Sequence, residues 1–160
     1  MSAHDLETRI RRLEAIEAIR LLKARYARFC DDAYNAELIA PLFAEEAIWD
    51  GGVLGRYEGR QAIREFFSNA SSVMPFAIHH ITNPEIEIDA SGDRATGRWR
   101  LWQPCIHAVG EQALWMAGSY RDRYRREGDG WVFEDVLINL EMLSPYEAGW
   151  SAARMVEVPA

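Results

Sequence analysis

The sequence predicts a single α+β domain in which one long N-terminal helix and two shorter helices precede long, mostly antiparallel strands. Two changes of pattern support this fold class. Apolar residues recur at three- and four-residue steps over residues 16–29, whereas after Pro75 they alternate with polar ones. The length of 160 residues suits one domain, and no repeat or Gly/Ser-rich linker divides it. Because helices precede strands instead of alternating with them, we expect a helical layer against one sheet.

The first helix is predicted over residues 5–29, which contain neither Gly nor Pro. Residues three and four apart share one side of a helix, so the apolar stripe is expected to face the core. Asp31, Asp32 and Asn35 end the pattern. The stripe consists of Ile16, Ile19, Leu22, Tyr26 and Phe29.

Two shorter helices and a short strand follow. Residues 36–43 predict a helix with Asn35 as N-cap, shortened by Pro41, which lacks the N–H of an interior helical position. Residues 47–50 predict a strand, and residues 61–70 predict the third helix. The apolar side of that helix carries Ile63, Phe66 and Phe67.

Period-two alternation predicts four strands in the second half. The first covers residues 76–81 and continues past Pro84, where a bulge or sheet edge is expected because proline cannot donate to the ladder. The others cover residues 95–103, 112–126 and 131–142, and a Gly-Asp-Gly hairpin turn joins the last two. One face of the third strand carries Leu114, Met116, Gly118, Tyr120 and Tyr124.

We expect residues 1–160 to form one domain, with a core over about 10–143 and a tail, 144–160, that acts as a lid or an interface arm. The net charge of -7 and pI of about 5.1 argue against nucleic acid, whose binders present basic faces. No stretch approaches the ~20 apolar residues of a membrane span, and residues 1–12 lack a signal peptide's apolar region. Cys30 and Cys105 match no metal motif, so two buried thiols in a cytoplasmic protein are expected.

Three polar residues in apolar settings are the candidates for chemistry. Tyr26 belongs to the helical stripe, Asp31 follows it at the helix C-terminus, and His79 lies in an apolar strand. A carboxylate beside a histidine fixes the imidazole tautomer and makes the ring a general base. A tyrosine hydroxyl can stabilise charge that develops on a carbonyl oxygen. Tyr26 and Asp31 are ~140° apart on an ideal helix, so their meeting requires a distorted last turn.

Each of these residues also has a structural interpretation. Asp31 could cap the following turn, Tyr26 could be a half-buried aromatic residue, and His79 could be a hydrogen-bonded core histidine. His80 is expected on the opposite strand face, and His107 follows a predicted strand bend. The histidines lack metal-binding spacing, so no metal is predicted.

Five segments between about Leu13 and Trp150 together resemble the SnoaL-like branch of the nuclear transport factor 2-like superfamily, which includes dehydratases, a dehydrochlorinase and an isomerase. The resemblance implies a cone formed by a strongly curved sheet around three helices, with a pocket at its wide end. It also implies cofactor-independent chemistry and a homotrimer or homodimer. The segments are AIRLLKARYARFCD, LFAEEAIWDG, GRYEGRQAIREFF, IHHITNPEIEID and AGSYRDRYRREGDGWVFED.

In dehydratase-like relatives a tyrosine and an aspartate of the first helix meet a histidine on the sheet, and the matching residues here are Tyr26, Asp31 and His79. The resemblance also places Trp49 in the pocket wall. Relatives often carry a basic residue in the last strand, whereas residues 136–142 contain none. Asp32 and His80 have the same separation as Asp31 and His79, so they form an alternative pair.

Three functions follow as hypotheses. The first is a lyase or isomerase in which His79 removes a proton from a small hydrophobic, cyclic substrate, Asp31 orients the ring, and Tyr26 polarises a carbonyl or assists the leaving group. The second is a binding protein with the same pocket and no turnover. The third is an interaction module that uses an apolar outer sheet face. The expected pocket residues are Trp49, Phe67, Trp115, His107 and Tyr120.

Overall fold

A long helix and a curved, open sheet of seven strands make up most of the structure, a computed structural model that describes residues 3–156. The predicted α+β class is confirmed, with short helices beside the long one. Residues 1–2 and 157–160, the ends of the predicted domain and tail, lie outside the described residues. No helix among those described is both long and apolar enough to cross a membrane.

Helix α1 spans Ala3–Asp31 and is longer than predicted. Its residues 5–14 are exposed, and its buried face starts at Ala15. That face differs from the predicted stripe, because Ile16 and Phe29 are only partly buried. The buried positions are Ala15, Ile19, Leu22, Lys23, Tyr26 and Cys30.

An αL C-cap motif ends α1. The Asn35 N–H donates to the Phe29 carbonyl at 3.0 Å, and the Tyr34 N–H donates to the Cys30 carbonyl at 3.0 Å. Tyr34 occupies the position where glycine is usual and has a φ of 55°, and Ala33 before it has a φ of 50°. The last turn is therefore distorted, and the distortion directs the side chains that follow α1.

Helix α2 covers only Ala36–Ile39, because Pro41 turns the chain into a single 3-10 turn. Strand β1, Phe43–Asp50, begins four residues earlier than expected, and the short strand β2 covers Arg56–Glu58. Helix α3 covers Arg60–Val73 and buries Ile63, Phe67 and Ala70.

Five further strands complete the sheet, in the order β2-β1-β7-β6-β5, with β3 and β4 both paired to β5. The β1–β7 pair is parallel and the other pairs are antiparallel. The strands are β3 Phe76–Ala77, β4 His80–Ile88, β5 Arg94–His107, β6 Gln112–Glu127 and β7 Gly130–Pro145.

Irregularities in the register divide the predicted strand 76–81. Ile78 and His79 lie between β3 and β4 and belong to neither. The expected bulge at Pro84 is present as a register shift between Thr82 and Glu85. These breaks let one segment of chain turn His79 away from the ladder and toward α1.

The segment after β7 packs against the outer sheet face. Helix α4, Gly149–Ala152, places Trp150 with its ring centroid 6.1 Å from that of Trp102, and Met155 pairs with Leu143. Trp150 therefore contacts the sheet face opposite the helices, whereas Arg154 and Val156 hydrogen-bond to Leu143 along β7.

Candidate active site

Asp31 and His79 are in direct contact. Asp31 Oδ1 lies 2.7 Å from His79 Nδ1 and also accepts the His79 backbone N–H at 2.9 Å. The two bonds join the end of α1 to the break between β3 and β4. Since one oxygen accepts from both the ring and the backbone, the ring orientation of His79 is fixed relative to its own main chain.

The contact determines which ring nitrogen is available. A carboxylate oxygen only accepts, so Nδ1 carries the proton in the neutral ring and Nε2 is the acceptor. No described residue is hydrogen-bonded to Nε2. This atom is also not among the fully buried side-chain atoms that lack a hydrogen-bond partner, so it is not completely enclosed by the protein. The His79 side chain is 6% exposed and that of Asp31 is 33% exposed. Nε2 is therefore the ring nitrogen that is left without a hydrogen-bond partner among the described residues.

The alternative pair, Asp32 and His80, is not brought together. Asp32 Oδ2 accepts the Asn35 side-chain N–H at 3.0 Å, and His80 is exposed at the start of β4. The two residues have no contact with each other among the described interactions. His80 is instead paired with Trp102 in the β4–β5 ladder.

Tyr26 is buried in a group of aromatic rings. Its hydroxyl accepts the Trp49 Nε1–H at 3.0 Å and lies beside the Cys30 thiol. Burial raises the pKa of Tyr26 well above its ordinary value, so the hydroxyl keeps a proton to donate. None of the described contacts joins Tyr26 to Asp31 or His79. Its ring meets those of Phe43, Phe67, Tyr120 and Phe133 edge-on.

Tyr34 is the residue nearest to His79 that sequence reasoning missed. Its ring stacks on Phe67, with centroids 6.2 Å apart, and meets the imidazole edge-on at 5.8 Å. The Tyr34 hydroxyl donates to Met74 Sδ at 3.0 Å, and the Gln103 amide donates to the same sulfur at 3.1 Å. The wall beside His79 is thus formed by the turn after α1, the end of α3 and the inner face of β5.

His107 faces the interior at the end of β5. Its Nδ1 accepts the Val109 backbone N–H at 3.2 Å, so Nε2 carries the proton of the neutral ring. This buried Nε2–H has no partner among the described residues. Gln103, Cys105 and His107 alternate along one face of the strand, so the interior wall carries a row of polar groups.

A second polar centre lies deeper in the domain. Lys23 Nζ and Asp122 Oδ2 form a fully buried ion pair at 2.8 Å, and Nζ lies 3.5 Å from the Tyr120 ring centre. The Tyr124 hydroxyl donates to Asp122 at 2.7 Å and accepts the Trp99 Nε1–H at 3.0 Å. Burial lowers the pKa of Lys23 and raises that of Asp122, and each charge opposes the shift of the other.

The prediction that Trp115 lines the interior is wrong. Even-numbered residues of β6 face the helices, so Trp115 lies on the outer face, where it stacks on Trp102 with centroids 5.2 Å apart. Tyr146 from the tail packs against the same ring. The other expected wall residues, Trp49, Phe67, His107 and Tyr120, are all buried on the helix side.

Two open grooves lie away from these residues. One of about 450 Å³ includes Arg98, Arg121 and Asp135, and one of about 410 Å³ includes Asp89 and Arg123. Neither is lined by Asp31, His79 or Tyr26. In the part of the chain that the structure describes, no cluster of three or more His, Cys, Asp or Glu residues could hold a metal ion.

The buried polar residues that were not predicted differ in how clearly the sequence pattern indicates them. Lys23 lies four residues after Ile19 and next to Leu22 on the buried side of α1, and Asp122 lies in the inward-facing row of β6. The periodicity of the helix and of the strand is therefore sufficient to predict that both are buried. Gln103 was assigned to the end of a strand that runs four residues further. Tyr34 had no periodic signal, because it lies in a turn.

The profile of the SnoaL-like domain matches residues 11–136, which is most of the chain. The matched region contains α1, the Asp31–His79 contact and the strands as far as the start of β7. No protein with a curated functional description matches the sequence.

Solved structures share the fold. Hexachlorocyclohexane dehydrochlorinase LinA type 2 superimposes with a TM-score of 0.79 at 23% identity, over 85% of this chain and 91% of its own. A proposed aromatic ring hydroxylase from Novosphingobium aromaticivorans has a TM-score of 0.75 at 26% identity, over 88% and 97%. A proposed scytalone dehydratase from the same species has a TM-score of 0.77 at 20% identity, over 85% and 90%.

Proposed function

This chain belongs to the SnoaL-like domain family, and on that basis we propose that it is a cofactor-independent lyase or isomerase in which His79 removes a proton from a small substrate. The observation that carries the proposal is the double hydrogen bond from His79 to Asp31 Oδ1. These two hydrogen bonds leave Nε2 as the basic nitrogen and fix the orientation of the imidazole ring. Family membership and the names of the dehydrochlorinase and the scytalone dehydratase support this reaction class.

The proposed step is proton abstraction from carbon. Nε2 takes the proton, the C–H electron pair forms a new double bond or an enolate, and the imidazolium is stabilised by the Asp31 carboxylate. In an elimination the adjacent leaving group departs with its bonding electrons. In an isomerisation the same imidazolium returns the proton at another carbon.

The proposed substrate is small, hydrophobic and cyclic. The aromatic rings next to His79 are Tyr34 and the Phe67 ring that stacks on it, and such rings favour flat or compact apolar molecules. The polar groups beside them are few and include Tyr34, Gln103 and His107. Tyr26 is assigned a supporting role in the aromatic wall, and its hydroxyl lies within hydrogen-bonding reach of Cys30 and Tyr120 as well as Trp49.

The test is turnover of a substrate panel by the wild-type protein and by His79→Ala. The panel contains cyclic β-hydroxy ketones, cyclic β,γ-unsaturated ketones and polychlorinated cyclohexanes. Loss of a general base typically lowers the rate by roughly 10²–10⁴-fold, and we expect that loss for His79→Ala. Asp31→Asn should also lower turnover, because it removes the acceptor that sets the tautomer.

The adjacent residues supply matched controls. His80→Ala and Asp32→Asn change the same residue types at exposed positions and should retain turnover. Full activity of His79→Ala on a substrate that the wild type converts would refute the proposal. Equal losses in His79→Ala and His80→Ala would show a structural effect instead of base catalysis.

A non-catalytic binding protein is the second candidate. One observation favours it: residues 136–142 of β7 contain no basic residue, whereas dehydratase-like relatives often have one there. This candidate predicts that panel compounds bind and are recovered unchanged. Binding by calorimetry together with product analysis by mass spectrometry separates the two candidates.

A further inference from the structure

Two strong hydrogen-bond donors converge on one weak acceptor beside His79. The Tyr34 hydroxyl and the Gln103 amide N–H lie 3.0 and 3.1 Å from Met74 Sδ. The Gln103 side chain also lies within hydrogen-bonding reach of the Tyr34 hydroxyl. A thioether is a poor hydrogen-bond acceptor. The contact with the sulfur therefore does not compensate either donor for the hydrogen bonds to water that it loses on burial.

Backbone strain holds one of these donors in place. Tyr34 has a φ of 55° at the position of the αL C-cap motif that glycine usually fills, and the left-handed conformation costs a residue with a side chain about 1–2 kcal/mol. The ring is further fixed between Phe67 and the edge of His79. A strained residue that is held by its surroundings suggests a functional role for its side chain.

The Met74 side chain, whose sulfur accepts from both donors, is able to move away from them. Met74 lies just after α3, is only partly buried, and has a flexible side chain. Gln103, by contrast, is buried on β5, and Tyr34 is buried against α3. The donors are therefore fixed, whereas the acceptor between them is movable.

We propose that Tyr34 and Gln103 form an oxyanion-binding pair, and that the Met74 thioether holds its place until a substrate oxygen displaces it. The inference rests on the proposed function and deepens it, because it assigns the substrate class as carbonyl compounds. The donors would stabilise the enolate oxygen that forms as Nε2 of His79 removes the neighbouring proton. Burial raises the pKa of Tyr34, so its hydroxyl stays protonated and can donate.

The geometry suits that division of roles. The Tyr34 ring meets the His79 imidazole edge-on, with ring centroids 5.8 Å apart, and the Tyr34 hydroxyl donates to Met74 Sδ. His79 and Tyr34 are therefore neighbours in one wall, as proton abstraction beside a bound carbonyl oxygen requires. Tyr34 and Gln103 would then be catalytic residues, because they touch the reacting oxygen.

The test uses 4-nitrophenol as an oxyanion probe and 4-nitroanisole as its neutral analogue, both measured by calorimetry above the pKa of the phenol. We expect the wild type to bind the phenolate more tightly than the ether. Tyr34→Phe and Gln103→Leu should each weaken phenolate binding by about 10-fold or more, since hydrogen bonds to a charged oxygen are strong. Both should leave 4-nitroanisole binding within about 2-fold.

Met74→Leu supplies a readout that a structural role would not move. Removing the sulfur takes away the acceptor that competes with the probe for the Tyr34 hydroxyl and the Gln103 amide, so this variant should bind the phenolate more tightly than the wild type. Tyr146→Phe, an exposed tyrosine on the outer face, is the matched control and should bind like the wild type. Circular dichroism and thermal unfolding confirm that each variant is folded.

The outcomes separate this inference from the proposed function. Equal binding of phenolate and ether, or unchanged phenolate binding in Tyr34→Phe and Gln103→Leu, would overturn the oxyanion pair. Those results would leave the role of His79 standing if His79→Ala still abolished turnover. Conversely, His79→Ala could still prefer the phenolate while the wild type shows no turnover. That result would support the oxyanion-binding pair and refute the proposed enzymatic activity.

Discussion

One oxygen atom of Asp31 sets the chemistry of His79. It accepts both the ring Nδ1–H and the backbone N–H of the same residue, at 2.7 and 2.9 Å. A rotation of the ring would break the first bond, and a shift of the chain break between β3 and β4 would break the second. The orientation of Nε2 is therefore a property of how α1 ends as well as of the histidine itself.

The two cysteine thiols lead to a prediction at the same scale. Both are buried and free; burial raises the pKa of Cys105 to about 11 and that of Cys30 further. The thiolate is the reactive form, so a raised pKa lowers the reactive fraction at neutral pH. We expect alkylation by iodoacetamide to be slow in the native protein at neutral pH and, at Cys105, to accelerate as the pH rises toward 11.

Single-cysteine variants separate the two thiols. Cys30→Ala reports on Cys105 alone, and Cys105→Ala reports on Cys30, which should be the slower of the two. The unfolded chain in urea gives the rate of accessible thiols. Alkylation of the native protein at the unfolded rate at neutral pH would contradict the burial described here.

At the scale of elements, the Lys23–Asp122 pair fastens α1 to β6. Both side chains are fully buried, so removal of either leaves an uncompensated charge in the interior. We expect Lys23→Met and Asp122→Asn each to lower the free energy of unfolding by about 3–5 kcal/mol. The double variant should lose less than the sum of the two, and urea unfolding in a double-mutant cycle measures the difference.

Two results would contradict that account of the pair. Single variants as stable as the wild type would show that the charges are solvated in solution. Strictly additive losses would show that the two residues contribute independently. Arg11→Met, which breaks an exposed pair with Glu7 in the same helix, is the control and should change stability by less than about 1 kcal/mol.

Element positions were largely predictable, and the exceptions have physical causes. Helical periodicity and the absence of Gly and Pro located α1, and the hairpin turn located the end of β6. The break at Ile78 and His79 could not be predicted, because no Gly or Pro marks it between residues 76 and 83. What interrupts the ladder there is the tertiary bond from Asp31 to the His79 backbone, which lies 48 positions away in the chain.

At the scale of the whole molecule, fold and site were predictable to different degrees. The order of elements and the resemblance in five segments were enough for the α+β architecture. The pairing of Asp31 with His79, instead of Asp32 with His80, was implied by the resemblance, and the distorted last turn of α1 explains it. Tyr34 and Met74 depend on a turn and a helix end, where no period applies.

The most direct test of the central claim is the tautomer of the neutral His79 ring, measured by long-range ¹H–¹⁵N correlation NMR. The account predicts a proton on Nδ1 and an unprotonated Nε2. Asp31→Asn should change this pattern, because an amide can donate to Nδ1, whereas His80→Ala should leave it unchanged. A proton on Nε2 in the wild type would contradict the account, because the nitrogen assigned as the base could not accept.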